Sequence, residues 1–221
     1  MKFFLNMGID VSLAYGLTEL GAPLAVTGRG YYPGTTGRVL RHTEKMDIRV
    51  VNPDEKGRGE VEILSPYRMI SYLESEDNEG CFTEDGYFRT GDIGEFTKDG
   101  RLALKGRIKT MILGPAGENI FPESIEFLIN AEEDVLESLV IADEHGQLLA
   151  MIRLDIRALK RKGIVAVGEI ENYLSQIKER VNEKLSSFSK IRSVEIQNEP
   201  FERTPSEKIK RFLYQRKKTN K

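Results

Sequence analysis

The sequence predicts an α+β fold in two parts, and three observations support this prediction. In residues 1–108, short segments with strand-like alternation are separated by turns rich in proline, glycine and aspartate. Beyond residue 108, apolar runs of strand length alternate with segments of helical periodicity. The length of 221 residues is sufficient for one or two domains. We therefore expect a β-rich part at 1–108 and an α+β part at 109–221.

Two hairpins are expected in the first part. Residues 47–51 and 60–64 are predicted strands, because acidic and apolar residues alternate in the second segment and a Pro-Asp-Glu-Lys-Gly turn joins the two. Residues 93–97 and 101–105 are predicted to form the second hairpin, in which an Asp-Gly pair supplies the positive φ of a tight turn.

The second part carries both helix and strand signals. A helix is expected to begin at Pro122, because proline suits the first turn and acidic residues there favour the positive end of the helix dipole. The apolar runs 135–142 and 148–154 predict buried strands. Apolar residues at helical spacing between 170 and 185 predict a longer amphipathic helix. The basic segment 208–221 is expected to fray into solvent.

Composition excludes several classes of protein. The 33 basic and 35 acidic side chains leave a formal charge of −2, which predicts no general affinity for nucleic acid. No apolar run approaches the ~20 residues of a transmembrane helix. Cys81 is the only cysteine, which excludes an internal disulfide and is typical of a reducing compartment, so we expect a cytoplasmic protein. His42 and His145 lack metal-ligand spacing and are not expected to bind a metal.

Four short segments carry the residue types of a chemical site. Tyr-Gly-Leu-Thr-Glu at 15–19 combines a ring, a hydroxyl and a carboxylate, which can stack a base, bond a phosphate and hold Mg²⁺. Arg-Thr-Gly-Asp at 89–92, in a predicted loop, offers a carboxylate that can bond a ribose diol. Gly-Arg-Ile-Lys at 106–109 would place two cations on one side if the segment stays extended. Residues 204–211 present a lysine in a turn. Each segment alone also fits a structural turn or an exposed edge.

Taken together and in this order, the four segments resemble the adenylate-forming superfamily, the acyl-CoA synthetases and their relatives. The resemblance covers nearly the whole chain. In residues 88–94 and 208–211, the sequence most closely resembles that of bacterial long-chain fatty acid CoA ligases. Four further segments are similar to connecting motifs of the superfamily, namely 32–39, 59–63, 69–72 and 117–123.

The resemblance implies that the chain is the carboxyl-terminal part of such a ligase. Residues 1–108 would be the last, β-rich subdomain of a truncated large AMP-binding domain, and 109–221 the small mobile domain. The superfamily's phosphate-gripping loop would come before residue 1, and the Pro-Gly-Thr-Thr-Gly at 33–37 is a connector in this interpretation. The 221 residues alone would therefore be inactive.

The resemblance also implies a role for individual residues of the first part. Tyr15 and Gly16 would contact the nucleotide, with the tyrosine ring stacked on adenine. Thr18 would bond the adenylate phosphate. Asp92 and Arg107 would hold the ribose hydroxyls.

Metal binding, hinge motion and thioester formation are implied for other residues. Glu19 would bind Mg²⁺ and would act in catalysis together with Thr18 and Lys208. Lys109 would be the hinge, and Gly117 would line the path of the pantetheine arm. Glu207 stands where many members carry glycine, which leaves the approach of Lys208 to the substrate less defined by the resemblance.

The implied activity is ATP-dependent, AMP-forming ligation of a fatty acid to coenzyme A, with ATP, Mg²⁺ and coenzyme A as cofactor and co-substrates. Peripheral membrane contact of the full-length enzyme is an additional expectation. Two other functions stay open at this point: a non-catalytic interaction module, and an enzyme that adenylates aryl or amino acids.

Overall fold

The computed structural model describes residues 4, 6–21, 23–27, 32, 34–40, 45–114, 117–143, 145–205 and 207–215. The chain divides into two compact units, residues 1–109 and 110–221. Strands dominate the described part of the first unit, and the second unit combines strands with helices, so the predicted α+β class is confirmed. His42, Pro33 and Ser206 lie outside the described residues.

The first unit is built on an antiparallel sheet. Seven strands can be assigned within its described residues, in the order β1-β2-β3-β7-β6-β5-β4. Both predicted hairpins are present, as β4 with β5 and β6 with β7. The strands are β1 (Ala14–Gly16), β2 (Pro23–Val26), β3 (Gly37–Val39), β4 (Asp47–Val51), β5 (Gly59–Leu64), β6 (Phe88–Phe96) and β7 (Arg101–Arg107).

Strand β6 begins before the predicted residue 93 and includes the Arg-Thr-Gly-Asp segment, so the predicted loop at 89–92 is wrong. Glu60 pairs with Ile93 and Glu62 pairs with Arg89. One residue of β5 is therefore opposed by the three residues 90–92 of β6. Such a bulge preserves the hydrogen-bonded pairing on either side and changes the direction of the side chains within the bulge.

Apolar side chains from the strands of the first unit form its core. The predicted alternation in β5 is confirmed for Val61 and Ile63, which are buried. Glu62 is buried as well, because Arg49 covers it with a bond of 2.8 Å from Nε to the Glu62 Oε2. The buried cluster comprises Tyr15, Leu20, Ala25, Met46, Ile48, Val61, Ile63, Phe88 and Leu102.

The second unit packs helices on a small sheet. β10 (Val135–Ala142) pairs antiparallel with β11 (Leu148–Leu154), and β12 (Ser193–Ile196) pairs parallel with β11. The predicted strands 135–142 and 148–154 are confirmed to the residue. A separate pair is formed by β8 (Ile112–Leu113) and β9 (Asn119–Ile120).

Three α-helices complete the described part of the second unit: α1 (Pro122–Ile129), α2 (Ile156–Arg161) and α3 (Val167–Glu183). The helix predicted from Pro122 is confirmed. The longer helix starts before residue 170, because the Glu169 carboxylate accepts the N–H groups of Val165 and Ala166 at its amino end. No helix in the described ranges combines the length and apolar character needed to cross a membrane.

The carboxyl-terminal segment is ordered through residue 215, so the prediction that it frays from residue 208 is wrong for these residues. Ile209 and Tyr214 pack against a buried cluster of Leu139, Ile141, Leu149 and Phe201. Arg211 forms an ion pair with Glu126 of α1. The basic composition predicted a solvated tail, but the packing of two apolar residues and the ion pair of one arginine attach the segment to the unit. Residues 216–221 lie outside the described residues.

Two glycines of the 32–39 segment differ in their surroundings and allow a matched test. Both have positive φ, +74° at Gly34 and +99° at Gly37. A Cβ at Gly37 would lie 2.0 Å from the Val26 carbonyl carbon, whereas a Cβ at Gly34 would meet nothing within 4 Å. We expect Gly34→Ala to cost about 1 kcal/mol of unfolding free energy and Gly37→Ala about 3 kcal/mol or more.

Urea unfolding of the two variants measures this difference directly. Equal losses of stability in Gly34→Ala and Gly37→Ala would contradict the close approach of β2 and β3.

Candidate functional site

The centre of the candidate site in the first unit is the Asp92 carboxylate, which is 5% exposed. Arg107, its register partner on β7, reaches its Oδ1 with Nε at 3.0 Å. The hydroxyl of Tyr15 donates to its Oδ2 at 2.7 Å. Tyr15 and Arg107 therefore both contact Asp92, and the resemblance implies nucleotide binding for all three residues, although Tyr15 and Asp92 are 77 positions apart.

The bulge in β6 explains how Asp92 comes to face Tyr15. Gly91 adopts φ of +67°, a conformation that glycine reaches without strain. The Thr90 hydroxyl accepts the Asp92 N–H at 3.0 Å and donates to the Val61 carbonyl at 2.7 Å. Thr90 thus fixes the backbone immediately before the carboxylate, a role that the sequence did not reveal.

Tyr15 is held more firmly than a surface ring would be. The side chain belongs to the core of the unit and is 7% exposed. Burial, followed by the neighbouring Asp92 charge, raises the pKa of the Tyr15 hydroxyl, which keeps it a proton donor. The hydrogen bond to Asp92 was not expected from the sequence, and stacking of the ring on adenine stays a prediction.

Glu19 is positioned by residues 69–72, a segment similar to a connecting motif of the superfamily. It lies in the 3-10 helix Thr18–Leu20, which ends at Gly21 with φ of +69°. The Tyr72 hydroxyl donates to Glu19 Oε1 at 3.0 Å, and the Met69 N–H donates to the Glu19 carbonyl at 2.7 Å. Burial, with the hydrogen bond to Glu19, raises the pKa of Tyr72 to about 12, so the hydroxyl stays protonated.

The donor set around Glu19 fits Mg²⁺ only as part of a nucleotide complex. Mg²⁺ prefers oxygen ligands and is commonly bound by one or two carboxylates together with substrate phosphates. Within the described residues, no group of three or more histidine, cysteine or acidic side chains could hold a metal ion. Glu19 therefore fits as one ligand of a metal that nucleotide oxygens also bind. Thr18 and Gly16, on either side of Leu17, are exposed.

The second unit holds the remaining predicted site residues. Gly117 lies between β8 and β9 with φ of +86°, and a Cβ there would meet nothing within 4 Å. Its N–H donates to the Gly114 carbonyl at 3.0 Å. Lys109, the predicted hinge, is exposed in the 3-10 helix Ile108–Thr110, where the two compact units divide. The expected extended chain over 106–109 is therefore wrong beyond Arg107, where β7 ends.

Lys208 lies in a hairpin turn. Arg203 pairs with Ile209 across the hairpin, and the Thr204 N–H donates to the Lys208 carbonyl at 2.8 Å. The Lys208 N–H donates back to the Thr204 hydroxyl at 3.2 Å. Its side chain is exposed, and among the described residues no acidic group forms an ion pair with its ammonium. The ammonium is thus available to an incoming anion.

The unusual residue before this lysine has a conformational explanation. Glu207 has φ of +62°, the left-handed region that favours glycine. Its carbonyl accepts the Arg203 Nη1 at 2.8 Å, and its N–H donates to the Thr204 carbonyl at 2.9 Å. The turn therefore imposes this backbone conformation, and glutamate adopts it at a cost.

Comparison with known proteins relates this geometry to a family of enzymes. No family model matches the chain. Long-chain-fatty-acid--CoA ligase ACSBG1 of Rattus norvegicus is 27% identical over 192 residues, which are 86% of this chain and 26% of the relative. The chain therefore spans about a quarter of the length of this relative.

Solved structures agree with the sequence comparison. The o-succinylbenzoate CoA synthetase of Bacillus subtilis with its acyl-adenylate intermediate matches at a TM-score of 0.73 and 23% identity, over 96% of this chain and 42% of that one. An anthranilate CoA ligase with anthranoyl-AMP matches at a TM-score of 0.74 and 22% identity, over 94% and 38%.

The chain is thus similar in sequence to a long-chain-fatty-acid CoA ligase and similar in fold to adenylate-forming CoA synthetases. Its fold matches the carboxyl-terminal region of these enzymes, as the motifs predicted. The same B. subtilis synthetase has also been solved with ATP and a magnesium ion.

The left-handed residue before Lys208 gives a direct stability test. We expect Glu207→Gly to raise the free energy of unfolding of the second unit by about 0.5 kcal/mol, because relief of the backbone strain exceeds the added freedom of the unfolded chain. Glu199→Gly is the control, since Glu199 is exposed and has no positive φ, and it should lower stability. Urea unfolding compares the two. A loss of stability in Glu207→Gly as large as in the control would contradict the strained turn.

Proposed function

We propose that this chain is the carboxyl-terminal part of an ATP-dependent, AMP-forming acyl-CoA ligase and is inactive without the remainder of the large domain. The observation that carries the proposal is the contact of Tyr15, Asp92 and Arg107 around one buried carboxylate. Glu19 lies in the same unit, and the second unit carries the exposed Lys208.

Asp92 and Arg107 would hold the ribose of the nucleotide. Each carboxylate oxygen has two acceptor positions, and the bonds from Tyr15 and Arg107 each use one. The remaining positions can accept the two ribose hydroxyls. The Arg107 guanidinium and the Tyr15 hydroxyl fix the orientation of the Asp92 carboxylate, so the diol would meet a pre-arranged acceptor.

In the first half-reaction, the substrate carboxylate attacks the α-phosphorus of ATP, the bond to the β-phosphate bridge oxygen breaks, and pyrophosphate leaves. Two anions must approach each other, so cationic groups are needed at the moment of attack. Lys208 would supply one positive charge, and Mg²⁺ bound through Glu19 would neutralise phosphate charge. One charge pair at ~4 Å and an effective dielectric near 20 contributes about 4 kcal/mol, roughly a thousandfold in rate.

In the second half-reaction, the coenzyme A thiol attacks the acyl carbonyl carbon and AMP leaves. The pantetheine arm needs the space that the lysine hairpin occupies in the first half-reaction. The second unit would therefore turn about Lys109, which lies where the units divide. After that turn, Gly117 and its neighbours would line the pantetheine path, where the open space around Gly117 suits close approach of a ligand.

The proposed acyl substrate is a long-chain fatty acid. This proposal is supported by the sequence relatives, which include the rat ligase named for that substrate class. The structural neighbours that act on anthranilate and o-succinylbenzoate resemble the chain at 22% and 23% identity, which is evidence for the fold alone. A cytoplasmic location, with peripheral membrane contact of the full-length enzyme, completes the proposal.

Removal of the Lys208 charge is the first test of the mechanism. In the full-length ligase that carries this sequence, we expect Lys208→Ala to reduce the rate of adenylation roughly a thousandfold, because one charge pair with the phosphate is lost. Thioester formation from supplied acyl adenylate should persist. Pyrophosphate exchange with ATP and a fatty acid measures the first step, and thioester release measures the second.

Lys210→Ala is the matched control, because Lys210 lies two residues further along and pairs with Glu202 at 3.6 Å. The 221-residue chain alone should give no exchange. Equal loss of both half-reactions in Lys208→Ala, or exchange by the isolated chain, would overturn the respective part of the proposal.

A proline at the unit boundary tests the hinge. Proline fixes φ near −65° and restricts the preceding residue, so Lys109→Pro should hold the ligase in one orientation. We expect one half-reaction to continue and the other to fall by about tenfold or more. Lys98→Pro is the control, because Lys98 is in the first-unit turn closed by the Gly100 N–H and the Thr97 carbonyl. Normal rates for both half-reactions in Lys109→Pro would exclude Lys109 as the hinge.

A further inference from the structure

The hairpin that carries Lys208 is anchored at its base by apolar contacts. We call residues 201–205 and 207–211 the lysine hairpin. Phe201 is 3% exposed and meets the Tyr214 ring edge to face, with ring centres 5.1 Å apart. The Glu202 N–H donates to the Tyr214 hydroxyl at 2.9 Å, and the Lys210 N–H donates to the Glu202 carbonyl at 2.8 Å. The base of the hairpin is thus part of the packed unit.

The outgoing arm of the lysine hairpin is held by an ion pair with β10. Arg203 Nη2 lies 2.5 Å from Glu137 Oε2. The other oxygen of Glu137 accepts Arg153 Nη1 at 3.1 Å and the Phe201 N–H at 3.3 Å. Because Arg203 also donates to the Glu207 carbonyl, one side chain connects the sheet to the turn before Lys208.

The returning arm is held by a bidentate ion pair with α1. Arg211 Nη1 and Nη2 donate to Glu126 Oε1 and Oε2 at 2.8 Å and 2.5 Å. The Val140 N–H also donates to Glu126 Oε1, at 2.7 Å, so the carboxylate is tied to β10 as well. Burial raises the pKa of Glu126, and the bonds from Arg211 and Val140 oppose that rise. Loss of Arg211 would leave a buried carboxylate without its cation, which is costly.

The planar fork of a bidentate arginine fixes direction as well as distance. Two residues separate Lys208 from Arg211, so their Cα atoms lie no more than about 11 Å apart. An anchor of fixed direction at this distance limits where the Lys208 backbone can lie. Apolar packing of Ile209 alone would leave the arm free to rotate about the contact.

We infer that Arg211 is a positioning residue, which acts through Glu126 to hold the lysine hairpin where the Lys208 ammonium can reach the α-phosphate of the nucleotide. This inference rests on the proposed function. Arg211 itself touches no substrate in this assignment. Its effect is therefore confined to the step in which Lys208 acts.

The half-reactions of the full-length ligase separate positioning from stability. In Arg211→Met, we expect adenylation to fall by about tenfold or more, because the ammonium is no longer held in place. Thioester formation from supplied acyl adenylate should stay within about twofold of the unsubstituted enzyme. Arg211→Lys keeps the charge in the buried site but loses the fork, so it should fold and show an intermediate loss of adenylation.

Arg180→Met is the matched control, because Arg180 forms an arginine–glutamate pair with Glu132 at 2.7 Å in the same unit. It should leave both half-reactions within about twofold. Amide hydrogen exchange of the 221-residue chain gives a readout that does not depend on activity. Arg211→Met should speed exchange at the N–H groups of Thr204 and Lys208, and Arg180→Met should not.

Unchanged adenylation in both Arg211 variants, or equal loss of both half-reactions in Arg211→Lys, overturns the positioning role. Unchanged exchange in the hairpin of Arg211→Met overturns it too. Full adenylation by Lys208→Ala would overturn the proposed function, whereas loss with Lys208→Ala but not with the Arg211 variants would overturn the positioning inference alone.

Discussion

A carboxylate that is removed from water needs donors or a cation, and this constraint shapes the first unit around Asp92. Arg107 satisfies one oxygen from the neighbouring strand, and Tyr15 satisfies the other from β1, the strand at the far end of the sheet order. The bulge in β6 interrupts the pairing with β5 at residues 90–92, which include Asp92. Residues assigned to the nucleotide are therefore also residues that hold this part of the unit together.

The same constraint acts in the second unit, where one buried and one partly buried carboxylate hold the lysine hairpin. Glu126 and Glu137 each take an arginine from the lysine hairpin. A purely apolar contact would also stabilise the segment, but ion pairs with defined geometry restrict its direction as well. The exposed Lys208 thus stands on a fixed support, although its own side chain is unpaired among the described residues.

This arrangement suits a reaction in which a cation must be present in one step and absent in the next. A flexible lysine would have to be ordered at each turnover, at a cost in side-chain and backbone entropy. A rigid hairpin can instead be moved as a body with its unit, and the backbone changes needed for that motion can be confined to the boundary at Lys109. Rigid support and a single point of rotation are therefore complementary in the proposed mechanism.

The sequence by itself determined the elements with strong local patterns and the order of the motifs. The strands 135–142 and 148–154 follow from continuous apolar runs, and the resemblance to the adenylate-forming superfamily follows from the order of the short motifs. Only the tertiary structure decided that residues 89–92 lie in a bulged strand, that Tyr15 reaches Asp92, that Tyr72 holds Glu19 and that Arg211 is paired. The reason is physical: local periodicity sets which residues are apolar, but pairs between distant side chains depend on strand register and on which polar groups burial leaves in need of partners.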